Sequence, residues 1–566
     1  MSAVNNASHP WYKFYPAGIP QEIDINQYGS VLDLIEDGLT KFASKAAYSN
    51  MGKEMTFGQV DKASKNFAAY LQSLGLVPGD KIAIQMPNCL QYPIALLGAI
   101  RAGIIVVNTN PLYTPREMKH QFTDAGVKAI VIVENFAYNL EKVLADTQIK
   151  HVILTQLGDM LGFPKKMIVN FVVKKIKKMV PAHNLSNTVS FADALSKGAS
   201  ATYKRPTLSH ADTIFIQYTG GTTGVSKGAV LTHKNIIANL MANEVWQGVL
   251  TDKIVSDKIV VVMALPLYHI YALTVNALTS LRAGSMNLLI TNPRDLDGFI
   301  KDLKKNPPHV FTGVNTLYNG LLNHPKIGEV DFSNLVITSA GGMALQSAVA
   351  NRWKELTGCL PAEGYGLSET SPVLCSNPLI GDNRVGTIGI PWPSTDMQIL
   401  KDNGAWADVG ESGEICAHGL QVMAGYYNRA DETEKVMHKD PYDGREWFKT
   451  GDVGVMDKDG YFKIVDRKKD MILVSGFNVY PNEIEDVVSQ MPGVLEVACV
   501  GVADEKSTEA VKIFVVKKDQ NLTEEQIKAY CKENLTAYKC PKHIEFRNDL
   551  PKTNVGKILR RELRES

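Results

Sequence analysis

Short apolar runs alternate with segments of helical pattern through most of the 566-residue chain. The run 81–86 precedes the helical pattern 92–102, and the run 104–108 precedes the helical pattern 115–125. Strands that alternate with helices favour a parallel sheet with helices on its faces, which is the α/β class. Further runs of the same kind occupy residues 129–133, 259–263, 286–290, 309–312 and 335–339.

The predicted secondary-structure pattern changes twice toward the C-terminus. From about Asp396 short strands with Gly and Asp turns predict a β-rich subdomain, and after Asp466 strand and helix patterns return. We therefore predict an α/β protein with a large N-terminal domain, residues 1–468, built from α/β subdomains and the β-rich subdomain. Residues 469–566 are expected to form a small, mobile α+β domain, with a hinge in the charged run 466–470.

Charge and cysteine content narrow the function classes. With 60 basic and 59 acidic side chains the net charge is +1. The protein as a whole therefore has no strong positive potential that would attract nucleic acid, and a small-molecule enzyme is favoured. The seven scattered cysteines contain no CxxC pair, which argues against a disulfide framework or a zinc site. Because we find neither an apolar signal core near the start nor a run of ~18 apolar residues, we expect a soluble or peripheral protein.

The most distinctive segment is Tyr218-Thr-Gly-Gly-Thr-Thr-Gly-Val-Ser-Lys-Gly228. It follows an apolar run, 213–217, and precedes a helical pattern that begins near Lys234. Glycines let backbone amides face an anion, while the threonines add hydroxyl donors and Lys227 adds charge. The segment suits a triphosphate, but it is not a Walker A loop, because Val225 and Ser226 separate Gly224 from Lys227.

Four later motifs complete a recognisable series: Tyr365-Gly-Leu-Ser-Glu369, Lys449-Thr-Gly-Asp452, Asp466-Arg-Lys-Lys-Asp470 and Asn554-Val-Gly-Lys557. In this order the chain resembles the adenylate-forming superfamily, which includes acyl-CoA synthetases, over nearly its whole length. Within that superfamily it is most similar to bacterial long-chain fatty acid–CoA ligases, notably at residues 110–117, 266–270, 291–295 and 474–484. One departure is Gly220, where most members have serine, and a cradle lined by backbone tolerates it.

The resemblance implies AMP-forming ligation of a long-chain fatty acid to coenzyme A through an acyl-adenylate, serving fatty acid uptake, degradation or lipid use. ATP and coenzyme A would be substrates and Mg²⁺ the cofactor. The resemblance also implies a bacterial cytoplasmic location, peripheral contact with the inner membrane and a homodimer, with no nucleic-acid partner.

The resemblance also assigns site residues. Thr219 and Glu369 would hold Mg²⁺. The β- and γ-phosphates would contact Thr219, Gly220, Gly221, Thr222, Thr223, Gly224 and Lys227. Adenine would lie among Gly341, Gly342, Glu363, Gly364, Tyr365 and Gly366, and the ribose would bind Asp452 and Arg467. The acyl and coenzyme A passages would include His269, Val314 and Gly476, with Lys469 as the hinge.

Two of these assignments have plainer alternatives. Lys557 would neutralise charge during adenylation, yet from charge alone it is a surface lysine in the basic tail with Arg560, Arg561 and Arg564. Only its place after Asn554-Val-Gly favours catalysis. A lone histidine in an apolar stretch, such as His269, is more often a packed core residue.

A basic amphipathic segment occupies residues 165–180. Apolar side chains recur near one helical face, with Lys174, Lys175, Lys177 and Lys178 over much of the rest. Such a helix either lies on an anionic membrane or docks on its own domain as a surface helix.

Three rival functions are less consistent with the sequence. An adenylation module could load a carrier protein or an aromatic acid; the sequence has no carrier domain after the last motif, and we expect coenzyme A as acceptor. A P-loop ATPase or kinase conflicts with the spacing of Lys227. A non-catalytic carrier would not explain why four charged motif residues occur together, namely Glu369, Asp452, Arg467 and Lys557.

Overall fold

The computed structural model describes residues 9–219, 226–250, 253–254, 256–467, 470–475, 477–504, 507–553 and 556–564. The strands in chain order are β1 Ala46–Asn50, β2 Lys53–Thr56, β3 Lys81–Gln85, β4 Ile105–Asn108, β5 Ala129–Val133, β6 His151–Thr155, β7 Thr188–Ser190, β8 Thr213–Thr219, β9 Lys227–Thr232, β10 Val260–Met263, β11 Met286–Leu289, β12 Val310–Gly313, β13 Ile337–Ala340, β14 Ala362–Gly366, β15 Val373–Ser376, β16 Ile390–Pro391, β17 Thr395–Leu400, β18 Ser412–Gly419, β19 Gly425–Tyr426, β20 Met437–Lys439, β21 Glu446–Met456, β22 Phe462–Arg467, β23 Ile472–Val474, β24 Phe477–Val479, β25 Val494–Asp504, β26 Thr508–Lys517 and β27 His543–Arg547.

The α-helices are α1 Val31–Lys41, α2 Phe57–Ser73, α3 Gln91–Arg101, α4 Pro115–Ala125, α5 Ala137–Glu141, α6 Lys165–Phe171, α7 Phe191–Ala199, α8 His233–Gly248, α9 Thr279–Ala283, α10 Leu296–Lys305, α11 Asn315–Leu322, α12 Ser347–Thr357, α13 Ala430–Val436, α14 Pro481–Ser489, α15 Glu524–Asn534 and α16 Arg560–Arg564. Within the described ranges, no helix is both long and apolar enough to cross a lipid bilayer.

Two large sheets confirm the predicted α/β architecture. One has the strand order β19-β9-β8-β4-β3-β5-β6-β7 and is parallel from β8 to β7. The other has the order β16-β15-β14-β13-β12-β10-β11-β1-β2, with parallel pairing from β14 to β1. All five residues of β5 are buried, as expected for a parallel strand covered on both faces.

Local signals explain why some bounds were predictable. Helix α4 begins with Pro115 behind a capping box between Thr114 and Glu117, and it ends at Gly126, whose φ is +66°. These residues satisfy the backbone groups that a helix leaves unpaired at its ends. The helix accordingly spans the predicted residues.

The rest of the chain forms two smaller sheets. From Thr395 an antiparallel sheet has the order β17-β18-β21-β20, with β22 also on β21, which confirms the β-rich subdomain. The last sheet has the order β24-β23-β26-β25 with β27 on β26, and helices α14 and α15 pack in the same unit. The mixture of strands and helices in this unit agrees with the predicted α+β character.

One strand was not predicted and one helix needs correction. The helical pattern expected near Lys234 is confirmed as α8, but an additional strand, β9, lies between α8 and the Gly/Thr loop, residues 220–226. It pairs antiparallel to β8 from Thr219↔Lys227 to Thr213↔Thr232. The loop therefore closes a hairpin. The basic segment is helical as α6 only to Phe171, and then widens into a π turn over Val172–Ile176, where two β-branched valines follow one another.

Candidate active site

The carboxyl ends of β12, β13 and β14 meet at one edge of their sheet. Gly313 pairs with Ala340, and Ala340 pairs with Glu363, so the next residues of each strand lie side by side. This register brings Val314, Gly341 and Gly342 next to the Glu363–Gly366 strand end. Edges of this kind are where ligands bind in open α/β sheets.

Close backbone approach explains two of these glycines. A Cβ on Gly341 would lie 3.1 Å from the Gly364 carbonyl oxygen and 3.2 Å from the Tyr271 ring. A Cβ on Gly366 would lie 1.8 Å from the Pro372 carbonyl oxygen, which no side chain tolerates. The edge is thus walled mainly by backbone, a surface that a flat ring can approach closely.

Glu363 contributes more than backbone to this wall. Its carboxyl oxygen accepts a hydrogen bond from the Leu345 amide at 3.1 Å, and its carbonyl accepts one from the Asn377 amide at 2.9 Å. Burial, with a smaller effect from the Asp486 charge, raises the pKa of Glu363 to about 8. The protonated side chain therefore anchors the segment that carries Gly341 and Gly342.

Tyr365 and Asp452 meet at the junction with the β-rich sheet. The Tyr365 hydroxyl donates to Asp452 Oδ2 at 2.6 Å, and both residues are buried. Asp452 in β21 pairs with Arg467 in β22. The structure thus brings together three residues that the sequence analysis placed around the nucleoside.

Glu369 lies near the end of the hairpin. Its turn, Ser368–Thr370, packs against β8 and β9, and Glu369 itself is 7% exposed. The Tyr426 hydroxyl donates to Glu369 Oε1 at 2.8 Å, and Tyr426 pairs with Ala229 of β9. Thr219 at the end of β8 and Glu369 therefore present oxygen donors, the ligands that Mg²⁺ prefers.

Lys227, which pairs with Thr219 at the loop end of the hairpin, already has partners. Its Nζ lies 2.9 Å from Glu432 Oε2 and 4.4 Å from the centroid of the Tyr426 ring. Lys435 and Lys227 together lower the pKa of Glu432 to about 2. A phosphate that reached Lys227 would compete with this carboxylate.

His269 lies in a loop fixed by buried amides. Asn88 donates to the carbonyls of Met263 and Leu265 and accepts from the Leu267 amide, and Gln217 donates to the Tyr268 carbonyl at 2.9 Å. The Tyr271 amide donates to His269 Nδ1 at 3.3 Å, which leaves the proton on Nε2.

Lys557 approaches this loop from the small C-terminal unit. The neighbouring Gly556 carbonyl accepts a hydrogen bond from Thr316 Oγ1 at 3.0 Å, beside Val314. Burial first, and the Lys557 charge second, lower the pKa of His269 to about 4. His269 is therefore neutral near pH 7, and Lys557 is close enough to the large domain to influence it.

Arg560 has a structural role instead of belonging to a solvated tail. Its guanidinium contacts Asp466 at 3.2 Å and Glu485 at 2.8 Å, and these side chains are largely buried. This cluster ties the Lys557 region to the strand that precedes the expected hinge.

Some assigned residues lie outside the described part of the chain. They are Gly220, Gly221, Thr222, Thr223, Gly224, Lys469 and Gly476. For Arg467 only the backbone is described.

Four residues that shape the site were not predicted from the sequence: Asn88, Gln217, Tyr426 and Glu432. Gln217 is the last residue of the apolar run 213–217 that was predicted to precede the loop, so its buried position could have been predicted. The other three are joined to the site only by tertiary contacts, for which the sequence carried no signal.

Comparison with known proteins agrees with this geometry. Residues 35–427 match the model of the AMP-binding enzyme family, and residues 483–557 match that of the AMP-binding enzyme C-terminal domain. Two relatives named long-chain-fatty-acid–CoA ligase, from Escherichia coli O157:H7 and Salmonella typhimurium, are each 53% identical and aligned over 98% of both chains.

A crystal structure of an anthranilate CoA ligase in complex with anthranoyl-AMP has the same fold. Its TM-score is 0.83 at 24% identity, over 96% of this chain and 98% of that one. The fold, the two matching family models and the near-complete alignment to relatives lead to one assignment: this chain belongs to the AMP-binding enzyme family.

Proposed function

We propose that this protein is a long-chain-fatty-acid–CoA ligase, which uses ATP and releases AMP. The printed name of the relatives at 53% identity supports the substrate class. The observation that carries the chemistry is at the domain contact, where the Gly556 carbonyl next to Lys557 accepts a hydrogen bond from Thr316, and where the Lys557 charge helps to lower the pKa of His269. A cation held there suits a reaction between two anions.

The reaction has two balanced steps. A carboxylate oxygen of the fatty acid attacks the α-phosphorus of ATP, and the bond to the bridging oxygen breaks, which gives acyl-AMP and pyrophosphate. The coenzyme A sulfur then attacks the acyl carbon and the thiol proton is released. The bond between the acyl carbon and the phosphate oxygen breaks, and AMP leaves with its electron pair. Both steps need charge neutralisation more than proton transfer.

The roles proposed for the nucleotide residues come from the family resemblance, and their positions in the structure are compatible with them. Adenine would lie against the Gly341–Gly342 and Gly364–Gly366 walls beside Tyr365, and Asp452 with Arg467 would hold the ribose hydroxyls. The loop between Thr219 and Lys227 would hold the β- and γ-phosphates. The proposal is supported by the register that joins the two walls and by the Tyr365–Asp452 bond.

Glu369 and Thr219 would hold Mg²⁺. One carboxylate and one hydroxyl, completed by phosphate oxygens, fit this hard cation. When bound, Mg²⁺ would reduce the negative charge of the phosphates. The hydrogen bond from the Tyr426 hydroxyl would orient the Glu369 carboxylate for that purpose.

For the second step we propose a rotation of the small domain, residues 469–566, about Lys469. The movement would withdraw Lys557 and admit the thiol past Gly476, with His269 and Val314 along the acyl and coenzyme A passages. The domain boundary and hinge rest on the family resemblance, and the limited contacts between the two domains support them.

Contact with the cytoplasmic face of the bacterial inner membrane and a homodimer are further proposals. The basic segment on the protein surface supports the first. The homodimer rests on the family resemblance alone, and light scattering of the purified protein would test it.

Product analysis tests the function directly. The protein would be incubated with ATP, Mg²⁺, coenzyme A and fatty acids of graded length, and nucleotides and thioesters would be separated chromatographically. We expect AMP, pyrophosphate and acyl-CoA in equal amounts, with long chains preferred. Formation of ADP or phosphate would refute the ligase, and a preference for aromatic acids would refute the substrate class.

A further inference from the structure

The basic segment, taken together with the two residues before it, spans residues 163–180 and exposes an unusual set of apolar side chains. The fractional exposures are 85% for Phe163, 64% for Met167, 59% for Ile168, 58% for Phe171, 64% for Ile176 and 52% for Met179. Single exposed apolar residues are common on soluble proteins, but such a concentration within one short stretch marks an interaction surface.

The same segment is strongly cationic. It contains six lysines and no acidic residue, in a chain whose net charge is only +1. Lys166 and Lys174 form ion pairs with Asp159 and Glu134 beneath the segment, at 3.3 Å and 2.5 Å. Lys175, Lys177 and Lys178 are all exposed.

The segment is anchored to the domain below it. Val169 packs against the core of the large domain, and Asn170 Oδ1 accepts from the Gly158 amide at 2.8 Å. Asn135 Nδ2 donates to the Met179 carbonyl at 3.0 Å. The alternative from the sequence, a surface helix docked on its own domain, therefore holds for Val169 and Asn170 but leaves the six apolar side chains uncovered.

We propose that the basic segment is a docking surface for a membrane that contains anionic lipid. Apolar side chains inserted among the acyl chains, with lysines at headgroup level, are the pattern of helices that lie in the membrane interface. A second copy of the chain is a poorer occupant, because a symmetric contact would bring six lysines against six. Nucleic acid would satisfy the lysines but leave the apolar side chains exposed to water.

The placement of the segment gives it a use. It follows β6, and the Gly/Thr loop follows β8; both strands belong to the parallel part of one sheet, so their carboxyl ends share an edge. Four strand spacings separate them, or about 19 Å. A bilayer bound to the basic segment would thus lie near the sheet edge at which β8 leads into the Gly/Thr loop. A long-chain fatty acid dissolves in that bilayer, so the substrate would be held close to the site.

Vesicle flotation with the full-length protein tests the proposal without any ligation assay. The vesicles would be pure phosphatidylcholine, or phosphatidylcholine with phosphatidylglycerol, at low and high salt. We expect binding to the anionic vesicles that weakens with salt. The variant K175E/K177E/K178E should lose at least about tenfold in partitioning, and F163S/F171S/I176S should lose binding even at low salt.

Matched variants control for nonspecific effects. K439E/K518E/K532E makes the same charge change at exposed lysines elsewhere, and V409S/Y442S removes exposed apolar groups elsewhere. Both should bind vesicles as the unmodified protein does. Ligation of a water-soluble shorter acid without vesicles should be equal in all variants, which would show that they fold.

Three outcomes would overturn the proposal. They are absence of binding by the unmodified protein, equal binding to neutral and anionic vesicles, and equal losses in the segment variants and their controls. Because the flotation readout does not involve catalysis, failure of the docking surface leaves the proposed ligase untouched, and the reverse also holds.

Discussion

Lys557 is the residue on which the first half-reaction is expected to depend most. An ammonium about 4 Å from a phosphate charge contributes about 4 kcal/mol at an effective dielectric of about 20. We expect Lys557→Ala to slow acyl-AMP formation by about two to three orders of magnitude, and to spare thioester formation from supplied acyl-AMP. Rapid-quench measurement of each half-reaction checks this, with Lys552→Ala as a neighbouring control; equal damage to both steps would contradict the assignment.

Tyr426 is expected to act through Glu369. Its hydroxyl supplies the hydrogen bond that orients this buried carboxylate, and a hydrogen bond to a charged group contributes about 1.5–3 kcal/mol. Tyr426→Phe should therefore lower the rate of ATP–pyrophosphate exchange by about tenfold or more, and raise the Mg²⁺ concentration needed for half-maximal rate. Tyr427→Phe is the matched control. An unchanged Mg²⁺ dependence would leave Tyr426 with a packing role only.

Glu363 should make stability depend on pH. Its pKa is about 8 in the folded protein and about 4.3 in an unfolded chain. The folded state then binds the extra proton, so the contribution to stability is complete below about pH 4.3 and is lost as pH rises to about 8. Glu363→Gln keeps the shape without the titration, so its thermal unfolding midpoint should fall less between pH 5.5 and 8.5. Glu446→Gln, at an exposed position, should behave as the unmodified protein.

At the scale of elements, the contact between β14 and β15 leaves no room at Gly366. Because an added Cβ would lie 1.8 Å from the Pro372 carbonyl oxygen, Gly366→Ala should lower stability by about 1–3 kcal/mol or more. Gly320→Ala in helix α11 has only a contact of 3.8 Å and should stabilise by about 0.5–1 kcal/mol. Denaturant unfolding of both variants gives the comparison; similar effects would show that β14 can shift.

Elements whose ends are set locally were predictable. The predicted bounds of helix α4, Pro115 and Ala125, agree with the structure, because the residues that cap its ends are adjacent to it in the sequence. The β8–β9 hairpin was not predicted, because its pairing joins residues on either side of the Gly/Thr loop. The π turn at Val172–Ile176 has no sequence pattern of its own.

The site was predictable only where a motif marked it. The roles of Glu369, Asp452 and Lys557 came from resemblance, since a carboxylate or a lysine is unremarkable by itself. The Tyr426–Glu369 bond joins residues 57 positions apart, and no local rule predicts such a contact. The sheet edge was thus predictable from the sequence, but the side chains that neighbouring elements bring to it were not.

For the whole molecule, we propose that the arrangement of the two domains decides which of the two steps can occur. Among the described residues, Asp466 beside the expected hinge bonds to Asn482 and Arg560. Away from the hinge, three further hydrogen-bonded contacts join the described parts of the domains: Thr316 to Gly556, Asn319 to the Leu495 carbonyl, and Ser347 to Asp486. With Lys557 beside the His269 loop, this is the arrangement expected for acyl-AMP formation. The thioester step would require these contacts to break.

A disulfide across one contact should therefore separate the two steps. Ser347 Oγ and Asp486 Oδ1 are 3.2 Å apart, so S347C/D486C places two thiols across the domain interface. When oxidised, this variant should form acyl-AMP at a near-normal rate and release it to coenzyme A at least about tenfold more slowly, with recovery on reduction, because the closed loop removes the rotated conformations. The single variants S347C and D486C, treated with the same oxidant, control for lost contacts and for the seven native cysteines. If the bridged enzyme completes both half-reactions at the rate of the reduced one, the small domain need not rotate. If it loses adenylation instead, the arrangement described here belongs to the other step.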